Sequence, residues 1–399
     1  MLIRKMFRDI RKNLSQFITI FLMIMIGVMA YSGIEAYMGG MQKTADKFYS
    51  ENNLQDLNVM GFLNHDDLDS IKKIDNVKDA ELKLSITATT DKDKTLLLNA
   101  IESNNISKFY VYEGEEFDNK AGVWLDYFYS QENNIKVGDT ILIKYESMEL
   151  HEKVRGLINV PDHLYDVKDE SELVPDRKEF GFAYISVNEI TEDYIKEQYL
   201  KEVSSMGIYD IPEDFNYKDY IPFNSIMVDV KDNKERDNVK NEIEDNVKNA
   251  KAIINVEDTS SYVTYQGEID GAKTCVGVFS GIFLFIAMLS VITTMTRVVK
   301  KERVQIGTLK ALGFSNNRIL FHYIGYGFWV SIFASIVGLV LGYYLIGTVF
   351  MNLEMEFFEI PNGAPAMNIT SYYVALIVTF VVALITYITG RSILRENPA

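Results

Sequence analysis

Four long hydrophobic runs without Asp, Glu, Lys or Arg constrain this chain more than any other feature. The first run, 13–34, lies near the N-terminus, and the others, 274–296, 319–353 and 360–390, crowd the last third of 399 residues. A helix needs roughly 20 apolar residues to cross a hydrocarbon core about 30 Å thick. Backbone groups in lipid must bond internally, which favours helices. The runs therefore predict four transmembrane helices.

The basic residues around these runs predict the orientation. Lys and Arg precede the first run, fill the connection 297–318 and follow the fourth run, whereas the connection between the third and fourth runs has only the acidic residues Glu354, Glu356 and Glu359. Cytoplasmic loops carry an excess of Lys and Arg. We therefore expect a multi-pass membrane protein, with both termini in the cytoplasm and the long segment after the first run outside. The abundance of Lys, Asn, Ile and Glu suggests a bacterial gene, and hence a bacterial cell (plasma) membrane.

The acidic charge is concentrated in that long segment. The chain has a formal net charge of −16, but residues 36–296 hold 27 Lys and Arg against 49 Asp and Glu, a net charge of −22. A solvated acidic surface is the simplest interpretation, and a cationic ligand is the alternative. Cys275 is the one cysteine, so the external domain must fold by its hydrophobic core without a disulfide, and we interpret Cys275 as a small packing residue.

The external segment begins and ends with the same pattern of strand, helix and strand. Asn64 fits the N-cap of the first helix, because short polar side chains accept the free N–H groups of a helix start. The predicted elements are a strand at 57–62, a helix from Asn64 and a strand at 82–88 in the first unit, and a strand at 225–230, a helix at 232–250 and a strand at 253–256 in the second. The two units could pair as one platform.

Between these units the alternation of apolar residues predicts mostly β-structure. The strands are expected at 95–101, 108–112, 141–145 and 149–158. We interpret residues 95–190 as a smaller, β-rich inserted subdomain. The predicted fold class is a membrane protein of four transmembrane α-helices, with a large α+β extracytoplasmic domain between helices 1 and 2.

No catalytic or metal-binding motif stands out. His163 lies beside Asp162 and Asp166 and could bind a metal, but a solvated loop is the simpler interpretation. Residues 267–274 resemble a phosphate-binding loop only superficially, because Ala272 stands where a glycine must precede the lysine. The sequence therefore predicts no catalytic site, no metal and no ATPase within this chain.

The connection between the second and third runs reads RVVKKERVQIGTLKALGFSNNR. Ile306, Leu309 and Leu312 recur every three residues and predict one apolar stripe on a short helix. Gly313 fits the C′ position that ends this helix, and Ser315 can cap the next one. Such a helix either lies among lipid headgroups or docks into a groove of a cytoplasmic partner.

The segment Lys301–Gly313, KERVQIGTLKALG, resembles the signature of FtsX-like (MacB-type) ABC transporter permeases. That signature has a charged residue followed by E-I-x-x-L-[KR]-A-[LI]-G, and this chain departs from it at Gln305 and Gly307. The layout of one span, a large external domain and three spans resembles the same family. The resemblance assigns contact with an ATPase to Glu302, Arg303, Gln305, Ile306, Leu309, Lys310, Leu312 and Gly313.

The resemblance implies a membrane subunit with several partners. A separate cytoplasmic ABC ATPase would bind and hydrolyse ATP, so this chain would be no enzyme and need no cofactor. The other expected partners are the lipid bilayer and a second permease, as a homodimer or as the other half of a longer permease; none is a nucleic acid. Motion of the ATPase would reach the external domain and drive export, efflux or extraction of a peptide, lipid or lipoprotein-like substrate. A non-transporting regulator of an extracellular cell-wall enzyme or sensor is the alternative.

The expected domains follow from the same resemblance. They are 1–37, the cytoplasmic N-terminus and transmembrane helix 1; 38–272, the extracytoplasmic domain; and 273–399, the FtsX-like permease domain, with helices at about 274–296, 319–350 and 368–390 and the cytoplasmic coupling loop 297–318.

Small residues recur at every fourth position in two of the spans. Gly277 and Gly281 lie in the second, and Ala334, Gly338 and Gly342 lie in the third. This spacing lets helix backbones approach closely, either within one chain or at a dimer seam. No run has a charged residue at its centre, which favours mechanical transmission over conduction of a charged substrate.

Overall fold

The computed structural model of this chain separates into two compact units, which we call the membrane unit and the sheet domain. It describes residues 8, 10–169, 172, 174–204, 210–212 and 215–395. Within those residues the sheet domain consists of Ala45–Gln266 and Glu356–Pro361, and the membrane unit is the remainder.

The described residues form the following elements in chain order. The helices are α1 (Leu14–Glu51), α2 (His65–Lys72), α3 (Tyr127–Asn133), α4 (Glu192–Ser204), α5 (Arg236–Asn246), α6 (Ser260–Lys301), α7 (Arg303–Ala311), α8 (Asn316–Leu341), α9 (Thr348–Glu354) and α10 (Ile369–Arg395), with a π-helical turn at Gly342–Gly347. The strands are β1 (Leu57–Leu63), β2 (Val77–Thr90), β3 (Thr95–Ile101), β4 (Tyr110–Gly114), β5 (Val123–Asp126), β6 (Thr140–Tyr145), β7 (Met148–Asn159), β8 (Phe180–Ser186), β9 (Phe223–Val230) and β10 (Ala250–Asn255).

The predicted four membrane spans are confirmed. Among the described residues, four helices are long and apolar enough to cross a membrane: α1, α6, the continuous run from α8 through the π turn to α9, and α10. Helices α1 and α6 contain 38 and 42 residues and are much longer than the predicted runs. At 1.5 Å per residue each exceeds the thickness of the hydrocarbon core, so their polar ends project beyond it.

Close backbone contact holds α1 against the third span. Gly338 approaches α1 so closely that a Cβ built on it would lie 2.8 Å from the carbonyl oxygen of Met25, and one built on Gly342 would lie 2.8 Å from that of Met29. The Ser32 hydroxyl donates to the Gly338 carbonyl oxygen at 3.4 Å. The small residues of the third span therefore pack within the chain, where they maximise van der Waals contact between helices in lipid.

The sheet domain is built on one mixed sheet of ten strands within the described residues. The strand order is β10-β1-β9-β2-β3-β8-β5-β7-β4, with β6 paired to β2 and β7. Strand β1 lies antiparallel between β10 and β9, and β9 pairs antiparallel with β2. The two strand–helix–strand units at the ends of the domain therefore do pair, and they interleave their strands.

The central strands extend this sheet instead of forming a subdomain of their own. Strand β3 pairs with β2 on one side and runs parallel to β8 on the other, and β6 and β7 form the predicted hairpin. One apolar core runs from Leu57 in β1 through Leu98 and Leu157 to Ile253 in β10. Residues 95–190 thus share both sheet and core with their surroundings, because the long strand β2 forms backbone hydrogen bonds along both edges, with β9 on one side and β3 on the other.

Asn64 caps α2 as predicted. Its Oδ1 accepts hydrogen bonds from the backbone N–H groups of Asp66 and Asp67 at 2.9 and 3.0 Å, and the Asp67 carboxylate accepts one from the Asn64 N–H. This reciprocal capping box satisfies helix-start donors that lack partners within the helix.

Two sequence interpretations are wrong. His163 is buried, not solvated: its ring stacks on Phe182 at 4.6 Å, and its Nδ1 lies 2.8 Å from a carboxylate oxygen of Asp166. Cys275 is exposed and packs in no core. Polar residues such as Asp162, His163 and Asp166 predict a solvated loop. In the fold this loop covers the interior of the sheet domain, so His163 is buried.

The segment Glu356–Pro361 was predicted to belong with the last three spans, but it folds with the sheet domain. The chain accordingly passes between the two units four times: within α1, within α6 and on either side of this segment. Hydrogen bonds to residues near position 160 hold it, and local patterning gives no sign of contacts about 200 residues away along the chain.

We predict that Gly342→Ala destabilises the membrane unit. The added methyl group would press on the Met29 carbonyl, and overpacking of this kind costs about 1–3 kcal/mol. Gly271→Ala in α6 is the matched control, because its Cβ would meet no described atom within 4 Å and alanine favours helix. Thermal unfolding in detergent should show a lower midpoint for Gly342→Ala only; equal midpoints would argue against the close approach.

Candidate coupling site

A one-residue break separates the second span from the short helix α7. Glu302 stands between α6 and α7 with φ −87° and ψ 8°. Hydrogen bonding continues through the break, from the Glu302 N–H to the Val298 carbonyl at 3.1 Å and from the Ile306 N–H to the Glu302 carbonyl at 2.9 Å. Helix α7 is therefore attached to the second span by bonded backbone rather than by a flexible loop.

The end of α7 is a Schellman motif centred on Gly313. The Gly313 N–H donates to the Lys310 carbonyl at 3.0 Å, and the Phe314 N–H donates to the Leu309 carbonyl at 3.1 Å. Gly313 has φ +85°, a conformation that L side chains disfavour. The predicted C′ position of Gly313 is confirmed.

Ser315 starts the next helix, also as predicted. Its hydroxyl oxygen accepts a hydrogen bond from the Arg318 N–H at 3.4 Å. Only the four residues 312–315 therefore lie between α7 and the third span, and both ends of this turn are defined by capping interactions.

The predicted apolar stripe of α7 does not face one direction. Ile306 is only 5% exposed and belongs to the apolar core of the membrane unit, and Leu309 and Phe314 pack partly against the same core. Leu312, by contrast, is 70% exposed. Two members of the stripe therefore anchor the helix, and one is available to a partner.

A second set of residues completes the solvent-facing side of α7. Val304 is 83% exposed, and Thr308 and Ala311 are exposed as well. With Leu312 they occupy positions i, i+4, i+7 and i+8, which lie on one helix face. We call these four residues the exposed face. The helical spacing of these four residues could have identified the exposed face from the sequence. The stripe of Ile306, Leu309 and Leu312 fits a helix as well, so spacing alone does not choose between them.

The remaining predicted contact residues divide between the two sides. Glu302 is buried, Lys310 is half-buried, and Gln305 and Gly313 are exposed. The side chain of Arg303 lies outside the described part of the structure. A contact with a soluble partner can therefore use Gln305 and the exposed face directly, whereas Glu302 and Ile306 can act only through the position of α7.

Gly277 and Gly281 lie on an open side of α6. A Cβ built on either residue would meet no other atom within 4 Å among the described residues. Within the chain these two glycines therefore make no close helix contact, in contrast to Gly338 and Gly342 of the third span.

The chemistry available at this site is that of a contact surface. In the described residues no group of three or more His, Cys, Asp or Glu is placed to hold a metal ion. Valine and leucine side chains on a short helix bind by entering an apolar groove, and the surrounding polar residues orient them.

We predict that Gly313→Val loosens the end of α7. A β-branched residue at φ +85° costs roughly 1–2 kcal/mol, so the amides of Leu312 and Phe314 should exchange hydrogen faster. Gly307→Ala is the control, since Gly307 lies inside the helix with open space around its Cβ. Hydrogen–deuterium exchange should show protection lost in the first variant and kept or raised in the second. Equal exchange in both would contradict a structural role for Gly313.

Comparisons with known proteins place this geometry in a family. Residues 277–398 match the model of the FtsX-like permease C-terminal family. No curated protein sequence matches the chain.

Two solved structures are similar to part of the chain. The extracellular domain of the noncanonic ABC-type transporter YknZ from Gram-positive bacteria is 14% identical, with 50% of this chain and 98% of that one covered and a TM-score of 0.30. The periplasmic region of MacB from Actinobacillus actinomycetemcomitans is 12% identical, with 56% and 95% covered and a TM-score of 0.31. The family match includes α7 and the three spans around it, so the predicted resemblance to FtsX-like permeases is confirmed for residues 277–398.

Proposed function

We propose that this chain is the permease subunit of an ABC transporter in a bacterial cell membrane, and that it transmits the motion of a separate cytoplasmic ATPase to an extracytoplasmic sheet domain. ATP binds and is hydrolysed on the partner. The exposed face of α7 carries the proposal, because it presents apolar side chains between two membrane spans of an FtsX-like permease domain.

The distribution of charge supports the orientation. Lys300 and Arg318 flank α7 and are exposed, together with Arg297. The connection on the opposite side of the spans carries Glu354 and Glu356 and no basic residue. Lysine and arginine stay on the cytoplasmic side of membrane proteins, so α7 and both termini face the cytoplasm.

The two sides of α7 support its role in transmission. Its exposed face would dock in a groove of the ATPase, while Ile306 on the other side is fixed in the core that the spans share. A displacement of α7 therefore moves the second and third spans together. From there the motion can reach the sheet domain along the four chain connections between the two units.

The apolar spans favour mechanical work over conduction. A charged substrate crossing the bilayer would normally require charged residues in the middle of the spans, and the four runs contain no Asp, Glu, Lys or Arg. The sheet domain would instead act on a peptide, lipid or lipoprotein-like substrate for export, efflux or extraction. The same mechanics would serve the alternative, a regulator that activates an extracellular cell-wall enzyme or sensor.

The open side of α6 supports a second copy or second permease half as partner. Gly277 and Gly281 have no close neighbour in the described residues, and exposed Phe279 and Phe285 lie along the same helix. Small residues next to large apolar ones allow two helices to approach closely in lipid.

We predict that Leu312→Asp and Val304→Asp each reduce co-purification of the cognate ATPase by about tenfold or more. Burying an aspartate where a valine or leucine enters a groove forfeits about 1.5–3 kcal/mol of apolar transfer energy and adds a desolvation cost. Asn317→Asp, which adds the same charge on an exposed residue beyond the exposed face, should keep the ATPase.

Substitution at Leu309 is unsuitable for this test, because Leu309 packs against the core and its loss affects folding. Thermal unfolding of Leu312→Asp and Val304→Asp should match the unaltered protein, since both side chains are exposed. Unchanged ATPase recovery with both variants would refute docking through the exposed face.

The orientation has its own test, which uses the single cysteine. In a Cys275→Ser background, Lys92→Cys in the sheet domain should react with a membrane-impermeant maleimide on intact cells. Asn317→Cys, which lies in the same connection but beyond the exposed face, should react only after lysis, because this connection faces the cytoplasm. Both positions are exposed in the fold, so accessibility differs only by membrane side. The reverse labelling pattern would overturn the proposed topology.

A further inference from the structure

The segment Glu356–Pro361 is built into the sheet domain by backbone contacts. The Glu359 N–H donates to the Leu164 carbonyl at 2.8 Å, and the Glu359 carbonyl accepts from the amide of buried Asn159. The ring of Phe358, which is buried, lies edge-on to that of Tyr265 at 4.9 Å. The segment is therefore an ordered part of the domain rather than a free connection between two spans.

Its central side chain makes a buried ion pair. The Glu359 carboxylate is 3% exposed, and its Oε1 accepts from the Arg177 Nε at 3.0 Å. The Arg177 guanidinium is 15% exposed and lies over the Phe128 ring, 4.7 Å from its centre. Glu359 Oε2 and Arg177 Nη2 are both buried and have no hydrogen-bond partner among the described residues. The ion pair is thus buried, and one polar atom of each partner lacks a hydrogen bond among the described residues.

Further carboxyl groups act on this pair. Asp126 is buried where it caps α3, with Oδ1 accepting from the Phe128 N–H at 2.8 Å. Asp166 pairs with buried His163 at 2.8 Å, and Asp162 lies 3.5 Å from the Lys83 ammonium group. Within the part of the chain that the structure describes, the charged and titratable groups whose fields or contacts reach Glu359, directly or through the next neighbour, are Arg177, Asp126, Asp166, Tyr112, His163, Asp162 and Lys83.

These surroundings favour the protonated form of Glu359 and Asp126. Burial raises the pKa of Glu359 well above its ordinary value, the charge of Asp126 raises it further, and Arg177 opposes the rise only in part. Burial likewise raises the pKa of Asp126 to about 7. Burial would lower the pKa of His163, but the charges of Asp166 and Asp162 raise it.

We infer that residues 356–361 are an anchor whose hold on the sheet domain is set by protonation of Glu359 and Asp126 around Arg177. At mildly acidic external pH, Glu359 and Asp126 together carry no more than one negative charge. Arg177 can balance that charge, and the segment stays docked. At alkaline pH two or more buried carboxylates compete for Arg177, and repulsion and desolvation favour release of Glu359 into water.

The direction in which docking changes with pH follows from proton linkage. A carboxyl group whose pKa is higher in the docked state than in the free state binds more protons when docked. Its stabilising contribution is complete below the ordinary carboxyl pKa of about 4.3 and disappears as the pH rises through the docked value. The raised pKa of Asp126, which lies beside the docked segment, acts in the same sense.

The consequence is a pH-sensitive connection on the outer side of the membrane. The anchor is joined by the chain to α9 on one side and to α10 on the other, so it supplies two of the four connections between the units. Docking or release of Glu359 would change how the last two spans are tied to the sheet domain. The inference does not require that α7 binds an ATPase.

The test is hydrogen–deuterium exchange of the full chain in detergent between pH 6 and pH 8.5, corrected for intrinsic exchange. Protection of peptides covering 356–361 should fall as the pH rises, by up to about tenfold per pH unit for one linked proton. Glu359→Gln keeps the shape and the bond to Arg177 but cannot ionise, and should flatten this dependence. Glu356→Gln, which removes an exposed carboxyl of the same segment, should leave it unchanged.

Asp126→Asn is a second variant that retains the cap of α3, because the amide oxygen can accept the same N–H groups. With one competing carboxylate removed, the fall in protection should move to lower pH. A merely structural role for Asp126 would not move this midpoint. Protection that is independent of pH in the unaltered chain, or an equal pH dependence in Glu359→Gln, would overturn the inference.

Discussion

The close approach of α1 to the third span is the contact on which the rest of this architecture depends. Lipid supplies no hydrophobic force between helices, so the two spans must gain their energy from direct contact. Gly338 and Gly342 remove the side chains that would separate them, and Ser32 adds a hydrogen bond across 306 positions of sequence. This contact brings the first span into the core formed by the last three, and a domain inserted after α1 is then tied to that core at both ends.

The same core gives α7 its two-sided character. Ile306 is fixed among the spans, so the helix cannot move without them, while Val304 and Leu312 remain exposed to a partner. A helix that floated among lipid headgroups would need its apolar side turned to the membrane and would leave no such surface. The separation of an anchored side from an exposed side is what an element that passes motion from a soluble partner to the spans requires.

The buried charges of the sheet domain follow a different physical rule. An ion pair inside a protein loses its hydration, and the attraction between Arg177 and Glu359 does not fully compensate. Placing Asp126 in the same region makes the balance depend on protons. Such an arrangement adds little stability, but it makes docking of the connection between the last two spans responsive to its surroundings.

The sequence by itself determined the elements whose cause is local. Runs of apolar residues set the spans, Asn64 and Ser315 start helices, and Gly313 ends one, because each needs only neighbours along the chain. The family signature in α7 was likewise readable. Tertiary structure decided which side of α7 is exposed, which glycines meet another helix and where the connection after α9 folds. Those outcomes depend on partners far away in sequence, as Glu359 and Arg177 are, and no local pattern encodes a distant partner.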